Sequence, residues 1–334
     1  MHNTASTITG ISVVIPNYNG VGLFQHTLPT VIEALASLKL PSEILVADDC
    51  STDDSVNYLH THYPSIKVIV QKINAGFSVT SNAGIKAAAY SHVLLLNSDV
   101  KLTPGYFTDQ LKYFATPNTF GVMGRIEGWE DTIIQDGAKY PSFHGVKIKT
   151  TGNYLLKDKE QMKDGLYTMY LSGANMLVDK EKFLAIGGFN ELFAPFYSED
   201  YELSIRAWRL GYTCYFSYNS LCQHQTSSTI KTHRQKNKVK AIYYRNKFYV
   251  HALHLQGFKK ILWYMQWLPE TVLQIVIGRW YLWQSLKMFL ANRSGIKKSI
   301  AAFNKLALQR AAHYSLQQVA QRIKDSIQYP ATYF

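Results

Sequence analysis

The sequence predicts an α/β fold built on a Rossmann-like, mostly parallel sheet with helices on both faces. Apolar runs of strand length occur at residues 11–16, 44–47, 66–70 and 93–96. Helical patterns and short connections separate them, as in parallel sheets that are buried on both faces. Each run ends directly in polar residues. Because ligands bind beyond the carboxyl ends of such strands, we expect the functional site at that edge of the sheet.

Composition and charge divide the chain into two regions. The 334 residues are 47% hydrophobic and 17% charged, which is typical of a folded chain with a large core. Up to residue 230 there are 17 Lys and Arg against 21 Asp and Glu, whereas from residue 231 there are 18 against 2. We therefore predict an acidic body over residues 1–228 and a basic, tryptophan-rich helical tail over residues 229–334.

The first residues and the cysteines bear on cellular location. Residues 1–10 are polar and lack an apolar core, so we expect no secretory signal. Cys50, Cys214 and Cys222 are too few and too scattered for a disulfide framework or a zinc cluster. These features predict a cytoplasmic protein.

The fourth apolar run delivers Asn97, Ser98 and Asp99 to the edge of the sheet. A carboxylate at the end of a buried strand is costly unless it has a partner. A divalent cation is one such partner, and Mg²⁺ and Mn²⁺ favour oxygen ligands and substrate phosphates. Backbone amides in a turn would satisfy the aspartate as well. Both interpretations stay open at this point.

The middle of the chain is less regular. Residues 125–165 are rich in glycine, lysine and aromatic side chains, which predicts hairpins or long loops over the site. An apolar pattern over residues 167–178 is interrupted near Gly173, which indicates a bulge or a close approach of backbone to a ligand. Asp179 can then cap a short helix that ends near Gly187.

Three carboxylates, Glu199, Asp200 and Glu202, fall within four positions at the start of a helical pattern. Ser198 is the predicted N-cap, which places the acids in the first turn, where the helix dipole favours the ionised form. An ionised carboxylate fixed there can accept a proton from a substrate hydroxyl. Acids in a first turn also stabilise helices without any other role, and this alternative stays open.

Two common nucleotide-binding motifs are absent from the sequence. Gly20-Val21-Gly22 follows a strand but lacks the third glycine of a dinucleotide fingerprint. No glycine-rich P-loop with its lysine occurs anywhere in the chain. Both classes of nucleotide site are therefore excluded.

The order of these motifs resembles glycosyltransferase family 2, inverting enzymes with the A-type fold, and its rhamnosyltransferase-like bacterial members in particular. The resemblance covers residues 11 to about 228 and extends only loosely to the tail. Asn190, Glu202 and Ser81 depart from the family's usual Asp, Asp and base-contacting Arg. The matching blocks are residues 13–20, 46–53, 74–77, 82–85, 95–99, 172–174, 187–191 and 198–206, followed by His224.

The resemblance implies a role for particular residues. It implies that Asp200 is the catalytic base, with Glu199 beside it, and that Asp99 and His224 hold Mg²⁺ or Mn²⁺. A lone histidine in a loop is also compatible with an ordinary exposed side chain. Asp49 would accept a hydrogen bond from the imide N–H of the base. The implied donor-binding residues are Pro16, Asn17, Tyr18, Asn19, Asp49, Asn74, Gly76, Asn82, Asn97, Ser98 and Gly173.

The tail combines basic charge with apolar and aromatic residues. No apolar run over residues 261–290 approaches the length of a spanning helix, about 18 residues. Trp263, Trp267, Trp280 and Trp283 lie among basic residues, which predicts an in-plane helix on the inner leaflet of the membrane. Packing against the body or a homo-oligomer interface is the alternative, and nothing supports nucleic acid as a partner. Residues 296–326 predict one more helix.

The resemblance and the residues together predict an inverting, metal-dependent glycosyltransferase. It would move a sugar from a dTDP- or UDP-sugar, rhamnose included, to a hydroxyl of a glycan or lipid-linked glycan in bacterial surface polysaccharide synthesis. Inversion needs one base and charge neutralisation of the departing diphosphate, whereas a glycosidase normally pairs two carboxyl groups. The alternatives are a non-catalytic nucleotide-sugar-binding module and a membrane-attached interaction protein.

Overall fold

The computed structural model describes residues 7–149, 151–225, 233–310 and 313–334. The strands are β1 Ile11–Asn17, β2 Ser42–Asp48, β3 Lys67–Val70, β4 His92–Leu96, β5 Val100–Leu102, β6 Thr119–Gly128, β7 Ile134–Asp136, β8 Ala138–Lys139, β9 Phe143–His144, β10 Lys147–Ile148, β11 Asn153–Leu156, β12 Leu166–Tyr167, β13 Asn175–Asp179, β14 Thr213–His224 and β15 Ala331–Tyr333. The α-helices are α1 Val21–Ala36, α2 Ser55–His62, α3 Phe77–Ala87, α4 Lys180–Ala185, α5 Glu199–Arg209, α6 His233–His254, α7 Gly257–Val276, α8 Tyr281–Ala291, α9 Arg293–Leu308 and α10 Leu316–Asp325.

The main sheet has the strand order β12-β14-β6-β13-β4-β1-β2-β3, with β5 added on β14 and β7 on β6. The strands β4, β1, β2 and β3 are parallel, and β13 runs antiparallel between β4 and β6. Two hydrophobic clusters cover the two faces: Val13 belongs to one cluster and the adjacent Val14 to the other. The predicted mixed, mostly parallel α/β sheet is therefore confirmed, and its central strands are apolar throughout because both faces are buried.

The tail helices pack on the body. Phe248 of α6, Trp263 of α7 and Phe289 of α8 belong to the same hydrophobic cluster as Trp208 of α5. At the end of the chain, β15 pairs with β11. The boundary predicted near residue 228 lies outside the described residues, but the helices that follow it share the core of the sheet domain.

Two expectations for the tail need correction. Trp263 and Trp267 are buried, whereas Trp280 and Trp283 are exposed, so only two of the four tryptophans face outward. The single helix predicted over residues 296–326 is two helices, because Ser315 begins α10 with a reciprocal capping box. Within the part of the chain described here, no helix is both long and apolar enough to cross a membrane.

Buried histidines make the stability of this fold sensitive to pH. Burial and the charges of Lys147 and Lys247 lower the pKa of His251 to about 4, although the Lys247 carbonyl opposes the shift. Because the unfolded chain keeps the ordinary pKa of 6.5, it binds more protons than the native chain between these values. The contribution of His251 is therefore complete above pH 6.5 and is lost as the pH falls toward 4.

We expect the difference in free energy of unfolding between wild type and His251→Gln to depend on pH. The free energy of unfolding of wild type relative to the variant should fall by about 3 kcal/mol between neutral pH and about pH 4. Urea unfolding at several pH values measures this difference. A difference that does not vary with pH would show that His251 is not buried in its neutral form.

Candidate active site

Hydrogen bonds connect the turn after β1 to the turn after β2. The Asn17 Nδ2 atom donates to Asp48 Oδ1 over 2.8 Å, and the Asn17 carbonyl accepts from the Asp49 N–H over 2.8 Å. Asn19 has a positive φ of 54°, and its Oδ1 accepts from the Thr52 N–H over 2.7 Å. Both asparagines, predicted to bind the donor, thus use their side chains to shape this edge. Tyr18 lies between them and is 52% exposed, and Pro16 is half-buried at the end of β1.

Asp49 connects the end of β2 with the loop before α3. Its two carboxylate oxygens accept from the N–H groups of Ala75 and Gly76 over 2.8 and 2.9 Å. Each oxygen has a second lone pair, so the carboxylate can still accept a hydrogen bond from a ligand. Asn74 is exposed beside this loop.

Gly76 brings this loop against the segment that leads into α5. Its φ is 89°, and a Cβ at this position would lie 2.6 Å from Pro195 Cα. The adjacent Phe77 N–H donates to the Pro195 carbonyl over 2.8 Å. Only glycine adopts this backbone without strain and leaves room for Pro195. The loop that was predicted to bind the nucleotide base therefore contacts the segment that leads into the predicted catalytic acids.

A side chain of the tail fixes the backbone at the start of α5. Tyr197 and Ser198 have positive φ values. Ser198 lies at the N-cap position of α5, but its side chain makes no capping hydrogen bond, so the predicted capping role was wrong. Instead, Asn246 of α6 donates to the carbonyls of Phe196 and Tyr197 over 2.9 and 2.7 Å. Because this contact comes from α6, no local pattern in the sequence indicated it.

At this helix start Glu199 is buried and Asp200 is half-buried. The two carboxylate oxygens of Asp200 accept from the N–H groups of Gly173 and Tyr201 over 2.9 and 2.7 Å. Burial raises the pKa of Asp200, and these two amides and Lys139 oppose the shift. Burial and the charge of Asp200 raise the pKa of Glu199 well above its usual value. Within this pair, Glu199 therefore holds a proton more readily than Asp200 does.

The third acid of the group has a different environment. Glu202 forms a buried, two-pronged ion pair with Arg206, with oxygen–nitrogen distances of 3.1 and 2.7 Å. Burial opposes ionisation of Glu202, but the Arg206 charge and His254 outweigh it and lower its pKa to about 2. Glu202 is therefore a fixed structural anion.

Asp99 and His224 meet where β5 pairs with β14. His224 Nε2 lies 3.4 Å from Asp99 Oδ1, and His224 Nδ1 lies 3.2 Å from Gln135 Oε1. Burial lowers the pKa of His224, but Asp99 and Asp136 outweigh this effect and raise it overall. Among the described residues, the buried Asp99 Oδ1 has no hydrogen-bond partner. The histidine is thus fixed beside an aspartate, unlike an ordinary exposed loop side chain.

The residues before Asp99 link this pair to the rest of the site. The Asn97 N–H donates to the Ala174 carbonyl over 3.0 Å, next to Gly173. Ser98 Oγ lies 3.4 Å from where a Cβ on Gly20 would be, so Ser98 contacts the turn after β1. Asn97, Ser98 and Gly173 therefore come together between the turn after β1 and Asp200.

The sequence analysis missed Asp136 and Lys139. The charge of Asp136 raises the pKa of both Asp200 and His224, so Asp136 lies within electrostatic range of both groups. Lys139 forms an ion pair with Asp136 and lowers the pKa of Asp200. Both residues lie in the stretch predicted only as hairpins or loops. The Asn97 N–H bonds to the Ala174 carbonyl and the Gly173 N–H bonds to Asp200, so the turn that carries Asp99 and the start of α5 contact the same segment before β13.

Asn82 is placed apart from this cluster. Its amide donates to the Phe189 carbonyl over 3.0 Å and accepts from the Phe189 N–H over 2.8 Å. This pairing ties α3 to the turn that contains Gly188. The side chain predicted to bind the donor is therefore engaged with the backbone.

The residues present fit a divalent cation only in part. In the described ranges, no group of three or more His, Cys, Asp or Glu side chains is arranged to hold a metal ion. Asp99 and His224 offer two ligands, and within the described residues Asp99 Oδ1 has no hydrogen-bond partner other than this 3.4 Å contact with His224 Nε2. Mg²⁺ usually retains waters and takes further ligands from substrate phosphates. The pair therefore fits a cation whose remaining ligands come from a bound diphosphate.

A family model described as "Glycosyl transferase family 2" matches residues 12–187, which is more than half of the chain. The chain belongs to glycosyl transferase family 2. The family predicted from the motifs is confirmed, and the rhamnosyltransferase-like subtype stays a prediction.

Curated relatives share this family region. The chain is 25% identical over 234 residues to chondroitin synthase of Escherichia coli, covering 63% of this chain and 33% of the relative. It is 23% identical over 227 residues to validoxylamine A glucosyltransferase of Streptomyces hygroscopicus subsp. jinggangensis, covering 62% of this chain and 53% of the relative. The chain thus spans about half or less of the length of these relatives.

Solved structures confirm the A-type glycosyltransferase fold. GalNAc-T7 with UDP, GalNAc and Mn²⁺ superposes with a TM-score of 0.68 at 16% identity, covering 97% of this chain and 59% of that one. The mannosyltransferase PcManGT of Pyrobaculum calidifontis with GDP-Man and Mn²⁺ gives a TM-score of 0.52 at 14% identity, covering 97% and 86%. At these identities the likeness concerns the fold alone.

We expect Gly76→Ala to destabilise the protein by about 2–4 kcal/mol, because the new Cβ would clash with Pro195 and the positive φ would be strained. Gly22→Ala is the matched control: nothing lies within 4 Å of its Cβ position. In a helix, that control should change stability by less than about 1 kcal/mol. Urea unfolding measures both, and equal effects would mean that the Gly76–Pro195 contact does not constrain the loop.

Proposed function

We propose that this protein transfers a sugar from a nucleoside-diphosphate-sugar to a hydroxyl of a glycan or lipid-linked glycan, with inversion and with a divalent cation. One observation carries the proposal: the segment before β13 bonds to Asp200 through the Gly173 N–H and to the turn that carries Asp99 through the Ala174 carbonyl. This contact supports a proton acceptor and a cation-binding pair that act on one bound donor.

The comparisons support this class of activity. The family match and the relatives' names are those of glycosyltransferases and polysaccharide synthases, including poly-beta-1,6-N-acetyl-D-glucosamine synthase of Staphylococcus epidermidis at 26% identity over 174 residues. Two neighbours in fold were solved with UDP or GDP-Man and with Mn²⁺. We extend this to a dTDP- or UDP-sugar donor, a rhamnose-type sugar, Mn²⁺ or Mg²⁺, and a role in bacterial surface polysaccharide synthesis.

In the proposed reaction, Asp200 accepts the proton of the acceptor hydroxyl as that oxygen bonds to the anomeric carbon and the diphosphate leaves from the opposite side. The Gly173 and Tyr201 amides favour the ionised form of Asp200 and fix its direction. Glu199 lies beside it and would form a hydrogen bond to the acceptor. A cation held by Asp99 and His224 would neutralise the departing diphosphate.

We expect Asp200→Asn to lower kcat by about 10²- to 10⁴-fold, the usual contribution of a positioned base, with little change in donor affinity. In wild type, kcat should fall on the acid side with a pKa above the ordinary value of 3.8, because burial raises it. Release of nucleoside diphosphate and equilibrium donor binding measure the two effects.

Asp54→Asn is the matched control for this experiment, because Asp54 is an exposed acid at the start of a different helix, α2. It should keep normal turnover. Near-normal transfer by Asp200→Asn with intact donor binding would refute the base assignment. Donor binding without turnover by wild type, in the presence of Mn²⁺ and acceptor glycans, would favour the non-catalytic binding module.

We also propose that α7 lies in the surface of an anionic membrane. One side of this helix packs inward through Trp263 and Trp267. The other side carries exposed apolar residues at intervals of three or four, which is the pattern of an in-plane helix. This α7 outer face consists of Phe258, Ile261, Met265, Leu268, Val272 and Val276.

Charge favours a bilayer over a second copy of the chain as the partner of the α7 outer face. From residue 231 onward the sequence has 18 basic and 2 acidic residues, so two tails brought together would repel. An anionic leaflet would attract the same charges. Trp280, which is 67% exposed just beyond α7, suits the interface between headgroups and acyl chains.

We expect Met265→Glu combined with Val272→Glu to abolish sedimentation with anionic vesicles, because both side chains are exposed on the α7 outer face. Leu308→Glu is the matched control: Leu308 is 89% exposed at the end of α9, away from this face. High salt should weaken wild-type binding. Unchanged binding by the double variant, or a shift from dimer to monomer in sedimentation velocity, would contradict the proposal.

A further inference from the structure

A cavity outside the candidate active site lies between the β9–β10 hairpin and the helices α6, α7 and α8. Its volume is about 470 Å³. We call it the basic cavity, because four of its lining side chains are Lys147, Lys149, Lys247 and Arg279. It is separate from the Asp99–His224 pair, and none of the residues predicted to bind the donor lines it.

Two buried hydrogen-bond donors in the basic cavity have no acceptor. Trp263 and Trp267 line it, are 0% and 5% exposed, and stack with their ring centroids 4.9 Å apart. Within the described residues, neither indole Nε1–H has a hydrogen-bond partner. An indole N–H can only donate, and buried donors are rarely left unpaired. Both tryptophans are therefore buried donors in the wall of the basic cavity that lack an acceptor within the described residues.

The charges in the basic cavity also favour an anion. Glu270 is its one acidic lining residue, and it is engaged by an ion pair with Lys147 and by a hydrogen bond from Gln266 over 3.1 Å. In the described part of the chain, no salt bridge engages Lys149 or Lys247, while Arg279 hydrogen-bonds to Gln274 and Lys247 lies over the Tyr243 ring. The cavity wall therefore carries positive charge that its one acidic residue does not balance.

The basic cavity adjoins the catalytic acids. The Tyr201 hydroxyl, next in sequence to Asp200, donates to the Lys149 carbonyl over 3.4 Å. On the other side, Lys247 Nζ lies 4.4 Å from the centroid of the Tyr243 ring, which packs on Tyr197. A ligand group held here would therefore lie on the side of the acids away from the Asp99–His224 pair.

We infer that the basic cavity binds a phosphate or diphosphate carried by the acceptor substrate. This inference rests on the proposed transfer reaction, because it assigns the cavity to the molecule whose hydroxyl Asp200 would deprotonate. Lysine and arginine side chains bind phosphate by charge-assisted hydrogen bonds, and indole N–H groups add directional donors. The α7 helix that supplies both indoles also carries the exposed apolar face, so a phosphate attached to a lipid could reach the cavity from the membrane surface.

The test is a titration of the ¹⁵N-labelled protein with inorganic pyrophosphate in the presence of EDTA, followed through the indole N–H signals. Trp263→Phe and Trp267→Phe assign the two signals. Both should move downfield and saturate in wild type. Lys149→Gln combined with Lys247→Gln should weaken the apparent affinity at least tenfold, because two of the cations that face the anion are removed.

Lys298→Gln combined with Lys305→Gln is the matched control, because these lysines line a different cavity behind α5. It should bind as wild type does. A second titration uses dihexanoyl phosphatidic acid below its micelle concentration. Tenfold tighter binding than pyrophosphate indicates a lipid phosphate, and equal binding indicates a water-soluble phosphorylated glycan.

The inference is overturned if neither assigned indole signal moves, or if the Lys149 and Lys247 double variant binds as tightly as wild type. Asp200→Asn should bind pyrophosphate normally, since Asp200 does not line the cavity. Loss of the phosphate site would therefore leave the base assignment standing, and failure of the base assignment would leave the phosphate site standing.

Discussion

The Asp200 carboxylate is half-buried, and the N–H groups of Gly173 and Tyr201 donate to its two oxygens. One amide belongs to Gly173, in the interruption before β13, and the other to Tyr201, in the first turn of α5. The position of the carboxylate therefore depends on the fit between the sheet edge and the start of this helix. Gly76 and Pro195 complete that fit from the other side, because their contact leaves no room for a side chain.

The tail is part of this arrangement as well as a candidate membrane surface. Asn246 fixes the backbone before α5, and Arg245 donates to the Ala194 carbonyl over 2.6 Å. These contacts link the segment that positions the acids to α6, which in turn packs on α8 and α9.

Much of the fold follows from the sequence, because buried parallel strands read as apolar runs and end in polar residues. The motifs likewise placed Asp99, His224 and Asp200 at one edge. The position of Asp136 could not be predicted because its stretch of sequence has no periodicity. The role of Asn246 could not be predicted because its hydrogen-bond partners lie about 50 residues away in the sequence. The tryptophans of α7 were misjudged because this helix is apolar on both sides, so only tertiary packing distinguishes the buried face from the exposed one.

We propose that one bound donor lies between the Asp99–His224 pair and Asp200. The decisive experiment is a crystal structure with Mn²⁺ and a non-hydrolysable nucleotide-sugar analogue. We expect the cation to contact Asp99 and the diphosphate, and Asp200 to lie on the opposite side of the sugar with room for an acceptor oxygen about 3 Å away. A cation bound elsewhere, or an Asp200 that faces a different cavity from the sugar, would contradict it.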